Sequence, residues 1–217
     1  MGSPTVTPLV ENRREGGFVV YDPSDGMFTR EPSFIQAGSG ICIAGLVLAG
    51  LLTAAAAVAS PLGANTGNGA FGAIALGNIA KQGAYVVEFN DANNFMVQDP
   101  TGISVGHGKV GQPFSAGGIG FTIAAGGTAF AAADSFTVLV TGTIKYVPWD
   151  PTLIGAPVAI LWSGHRDAST ADKRCIVNVR GPMKVQAAEL LWSPNVTTLG
   201  QRAIALAQLQ AAGILNV

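Results

Sequence analysis

Charge is what this chain has least of. Its 217 residues carry 12 Lys plus Arg and 13 Asp plus Glu, 12% in all, where a soluble globular domain has about 25%. A net charge of −1 excludes a chain-wide basic surface for nucleic acid. Cysteine is nearly absent. Cys42 and Cys175 cannot build a metal site on their own and read as buried free thiols, with a single disulfide between distant parts of the chain as the alternative. The only histidines, His107 and His165, stand in no His-x-x-x-His or Cys-x-x-Cys spacing, so no metal ligand set is expected. The first thirty residues lack an apolar stretch of signal-peptide type. What is abundant is glycine, 29 residues, and apolar side chains, 48% of the chain at a mean hydropathy of +0.39. That is ample material for a core and is incompatible with disorder throughout. The length favours one ordinary domain or two small ones.

The few charges are unevenly spread. Residues 1–32 sum to −2, residues 32–80 contain no charge at all, and residues 142–217 sum to +3. The first thirty-two residues read as an arm, rich in Pro and Gly with little to build a core. Inside it Phe18-Val19-Val20-Tyr21 is a short β-prone island, followed by the turn signal Asp22-Pro-Ser-Asp-Gly26. Such an island is a strand of its own domain or one that waits for a partner. Residues 41–59 run nineteen positions without a charge, long enough for a membrane span. Gly45, Gly50 and Thr53 interrupt the run, and no Lys or Arg flanks it. The alternative is a buried strand bent at Gly45 and Gly50, followed by an Ala-rich connection.

From Pro61 the texture becomes turn-rich, with short strand-like runs at 84–89, 95–97, 103–105, 120–123 and 135–140, which predicts a small antiparallel β module. Further strands are expected at 143–147, 158–162 and 174–179, with a polar surface loop at 163–173. One helix is expected at the C-terminal end. Thr198-Leu-Gly-Gln201 is a capping box, Leu199, Ala203 and Leu206 follow at helical spacing, and Gly213 is a stop. The tail 214–217 reads as extended.

The chemistry-bearing patterns fail on context. Gly67-Asn-Gly69-Ala-Phe-Gly72 and Gly106-His-Gly108-Lys-Val-Gly111 fit a dinucleotide fingerprint, but neither is framed by a strand and a following helix. His165-Arg166-Asp167 has the letters of a kinase catalytic loop without its downstream Asn. Asn195-Val-Thr197 reads as the approach to the helix and not as a glycosylation site. No nucleophile elbow accompanies Cys175, His165 and Asp167. This inventory favours a structural or binding role over catalysis.

Taken in order, several blocks resemble the head decoration proteins of tailed phages, the lambda-type capsid-stabilising family. They are Phe28-Thr-Arg-Glu31, Phe34-Ile-Gln-Ala-Gly-Ser-Gly40, Ala44-Gly-Leu-Val-Leu-Ala-Gly50, Tyr146-Val-Pro-Trp-Asp150, Gly155-Ala-Pro-Val-Ala-Ile-Leu161, Val177-Asn-Val-Arg-Gly181 and Leu190-Leu-Trp-Ser-Pro194, ahead of the terminal helix and Gly213-Ile214. Ala159 stands where the family usually has Gly. The resemblance implies a mainly β fold of the lambda-type decoration protein with one C-terminal helix. It makes 33–60 and 142–217 a discontinuous decoration domain and 61–141 an inserted β domain, and it turns the membrane candidate into core strand. It further implies a homotrimer on the outer surface of the expanded capsid, bound to the major capsid protein and assembled in the host bacterial cytoplasm. On this reading there is no enzyme activity, cofactor, metal, direct nucleic-acid contact or membrane. Residues 1–32 become a capsid-binding arm, with Phe18, Val19, Val20, Tyr21 and Arg30 as its contact residues. A β-rich carbohydrate or cell-surface binding module is the alternative, with the insertion as its surface. A single-span membrane protein is the more distant one.

Overall fold

A computed structural model describes residues 13–217. Strand makes up 44% and helix 9%, so the chain is mainly β, with one α-helix among the described residues. In chain order the first strands are β1 (Val19–Tyr21), β2 (Arg30–Ile35), β3 (Ile41–Cys42) and β4 (Val47–Pro61). Then come β5 (Ala70–Phe71), β6 (Ala75–Leu76), β7 (Gly83–Phe89), β8 (Asn94–Gln98) and β9 (Ser104–Lys109). These lead to β10 (Phe114–Ala116), β11 (Ile119–Phe121), β12 (Ile123–Ala124) and β13 (Ser135–Pro148). The last are β14 (Val158–Leu161), β15 (Arg166–Asp167), β16 (Lys173–Asn178), β17 (Met183–Val185), helix α1 (Leu199–Ala211) and β18 (Ile214–Asn216). The chain forms two compact units. One takes residues up to 49 with 146–154 and 158–217, and the other takes 50–145 with 155–157.

The first unit is a small barrel. Its order is β2-β16-β14-β4. Tyr146 of β13 pairs in parallel with Ile35 of β2, and the Trp149 N–H donates to the Val47 carbonyl at 3.0 Å, so the ends meet. Continuous apolar runs suit strands buried on both faces. Val47, Leu48, Ala49, Ile160 and Leu161 are sealed in, with Trp149 fully buried among them. Beside the barrel β1, β17 and β18 form a second sheet in that order. Helix α1 lies against β18 and buries Ala205 and Leu209. The capping box is formed: the Gln201 N–H donates to Thr198 Oγ1 and the Thr198 N–H to Gln201 Oε1. Gly213 at φ +81° turns the chain out of the helix, a conformation that costs a residue with a Cβ.

The second unit is antiparallel, with order β13-β7-β8-β9 and the smaller pairings β10-β11-β6 and β12-β5. Its core joins a phenylalanine cluster to buried Val, Ile and Tyr side chains, among them Tyr85, Val87, Ile123 and Val138. Phe89 stacks on Phe130 at 3.9 Å between ring centroids, and Phe95, Phe114, Phe121 and Phe136 continue the cluster. Buried carboxylates hold its loops. Asp134 accepts from the N–H groups of Thr66, Gly67 and Ala131, and Asn65 and Ser135 exchange two further bonds.

Three expectations are corrected. The Ala-rich stretch 54–59 is not a connection: it continues β4 to Pro61, tied by Thr53 Oγ1 to the Thr143 carbonyl at 2.8 Å. Pairing overrides the weak strand preference of Ala. The runs at 135–140 and 143–147 are one fourteen-residue strand. Gly142 between them marks a close approach and not a turn, since a Cβ there would lie 2.8 Å from Leu52 Cδ1. The loop 163–173 contains β15, which pairs with β3. Residues 41–42 and 47–59 are strand, joined by a turn at 43–46, and no helix among the described residues is long and apolar enough to cross a membrane.

Candidate functional site

The surface picked out by the sequence lies on the first unit, where residues 13–32 are folded onto the barrel instead of standing apart as an arm; residues 1–12 lie outside the described residues. The physical reason is Phe18. It is 1% exposed and meets the Trp162 ring edge-on at 6.2 Å. Burying such a ring stabilises by about 2 kcal/mol, enough to anchor a three-residue strand. β1 then pairs with β17, Val19 opposite Val185 and Tyr21 opposite Lys184. Among the described residues it is the outer strand of its sheet, with no strand paired to its other backbone edge, and Val20 and Tyr21 are more than half exposed.

After β1 the chain makes a turn organised by Asp22. Its carboxylate accepts from the Ser24 N–H at 3.0 Å, Ser24 Oγ at 2.8 Å and Thr29 Oγ1 at 2.6 Å. Burial alone would raise this carboxyl, but the bonds from Thr29 and Ser24 and the charge of Arg30 outweigh it and hold it below the usual range. Arg30 approaches Asp22 at 3.7 Å and lies over the Trp162 ring, 3.3 Å from its centroid, a cation–π contact. The turn so braced carries Met27 and Phe28 at 82% and 69% exposure, the two most exposed large apolar residues of this segment.

The five residues named from sequence therefore divide. Val20 and Tyr21 face outward beside that outer edge. Phe18 and Arg30 face inward and support the turn, and Val19 is half-buried. Met27 and Phe28 were missed. Their signal was present, since an apolar pair directly after Ser-Asp-Gly sits at a turn's tip, but the sequence does not say that nothing folds over it.

The chemistry-bearing patterns are occupied by structural work. Gly106–Gly111 begins inside β9, and no helix follows it. Asp167 accepts from the Ser169 N–H and Oγ, and Arg166 donates to the carbonyls of His165 and Arg174. Cys42 and Cys175 are free and buried, and burial pushes both thiols up to about 11, so both stay protonated at neutral pH. No group of three or more His, Cys, Asp or Glu among the described residues could hold a metal ion.

Residues 117–214, a little under half of the chain, match the family model of the bacteriophage lambda head decoration protein D. The match takes in α1, β13 and the barrel strands β14 and β16 and leaves out β2 and β4, and it bears out the resemblance to the head decoration proteins. No curated protein matches the chain. Two crystal forms of FlgL from Xanthomonas campestris are similar at 23% identity and a TM-score of 0.33, over 48% of this chain and 34% and 33% of theirs. The chain thus spans about a third of their length, and a likeness of that size bears on neither fold nor role. The family match points to a phage head decoration role, on the capsid, for a structural protein.

Proposed function

We propose that this protein decorates the outside of an expanded phage head as a homotrimer and stabilises it against the pressure of packaged DNA. The observation that carries the reading is the family match over residues 117–214. Physically, a binder that recognises only the expanded lattice stabilises that state by mass action. One short strand added to the capsid protein's sheet is a weak contact. Three such contacts on one trimer raise the effective concentration of each and hold firmly. Val20 and Tyr21, with the outer edge of β1, are the contact on the decoration protein's side. The second unit is an insertion in the decoration domain.

The test is co-sedimentation of the purified protein with capsids that lack it, in expanded and unexpanded form. Pelleting with expanded capsids alone is the expected result. Pelleting with neither form overturns the reading.

A further inference from the structure

Two surfaces of the first unit are complementary to one another. On the barrel, the register of β2 with β16 sets Pro32 opposite Ile176 and Phe34 opposite Arg174, and all four are exposed. Next to them opens a cleft of about 330 Å3 lined by Pro32, Ser163, Arg166, Arg174, Cys175 and Ile176. Its floor is apolar and includes the protonated Cys175 thiol. Its rim is cationic. Arg166 has its nearest carboxylate, Glu15, 4.0 Å away, and the Arg174 guanidinium has no carboxylate partner among the described residues. The turn tip has the opposite character: Met27 and Phe28 project, and the exposed Asp25 beside them forms no ion pair among the described residues. Phe28, at 69% exposure, does not fill the cleft of its own chain.

We propose that the tip Asp25-Gly-Met27-Phe28 of one copy inserts into the Arg166–Arg174 cleft of a second copy. An aromatic or thioether side chain suits a cleft of this size, guanidinium groups favour an aromatic face, and the carboxylate at the rim sets orientation more than affinity. Because tip and cleft are different surfaces, the contact is head-to-tail, and such a contact closes into a ring when its rotation allows. The inference rests on the trimer reading above and names the contact that builds the trimer.

The experiment compares sedimentation masses of the full chain in three forms: wild type, a tip variant (Met27→Ser with Phe28→Ser) and a cleft variant (Ile176→Lys). Wild type is expected at three times the 22.0 kDa chain mass. Each variant alone is expected at the single-chain mass, its association weakened about tenfold to hundredfold by the lost apolar burial. An equimolar mixture of the two is expected to give a two-chain species, because one intact tip then meets one intact cleft. A trimer that survives both substitutions, or a mixture that stays single-chain, overturns this contact and leaves the decoration reading standing. A single-chain wild type overturns both this contact and the trimer. If a variant fails to fold, the charge swap decides. Asp25→Lys and Arg174→Glu each weaken association and together restore it; no restoration counts against the contact.

Discussion

Asp99 shows how much a single residue can carry in a chain with so few charges. It is 4% exposed and pairs with the Lys81 ammonium, while its other oxygen accepts from Thr101 N–H and Oγ and from the Ile103 N–H. Burial works to raise this carboxyl, and the bonds from Lys81, Thr101 and Ile103 more than offset it and bring it down to about 2 from 3.8. The folded value lies below the unfolded one. The stabilisation is therefore fully present above pH 4 and is lost as pH falls through about 2. Its size is about 2 kcal/mol. Asp99→Asn should lower unfolding free energy by that order at pH 7 and by progressively less toward pH 2, measured by denaturant unfolding at both. Equal losses at the two pH values would contradict the assignment. That a turn separates the strand-like runs at 95–97 and 103–105 was legible from sequence. The partner of Asp99 was not, because Lys81 lies eighteen positions away and only the pairing of β7 with β8 brings the two together.

At the level of elements, helix α1 was read most fully and β4 and β13 least. A capping box is a local device, since all its atoms lie within four residues, so its letters suffice. Thr198→Ala should cost about 1 kcal/mol, seen as a lower urea midpoint with an unchanged slope, and Gln201→Ala less. No loss with Thr198→Ala would mean the helix is held by its packing on β18 alone. Strand length has no such local signature. Residues 54–59 are alanine except for Val58 and Gly142 interrupts β13, and partners eighty-five to ninety residues away make both stretches strand. β1 lies between these cases. Its β-prone letters were clear, but that it is tied down by Phe18 depends on Trp162, more than a hundred residues further on.

For the whole molecule, the folding of residues 13–32 onto the barrel changes how the capsid contact is to be tested. Removing this segment takes away Phe18 and the fully buried Thr29; Phe18→Ala alone should cost about 3 kcal/mol. Loss of attachment in such a truncation would report unfolding as much as a missing contact. Val20→Asp with Tyr21→Asp avoids this. Both side chains are exposed, so unfolding free energy should change by less than about 0.5 kcal/mol, while retention on expanded capsids falls by about tenfold or more as two charges meet a desolvated edge. Unchanged retention would remove β1 from the interface.

The letters alone sufficed for the class of the molecule: β-rich, weakly charged, with one capped helix near the C-terminal end, and similar in block order to phage head decoration proteins. These are properties of composition and of neighbours within a few positions, where backbone preference and capping act. Which side chains face the outside was decided by tertiary pairing. Phe18 and Phe28 are the same residue type ten positions apart in one segment. One is sealed against Trp162 and the other stands in solvent, because burial is a property of what the rest of the chain brings alongside.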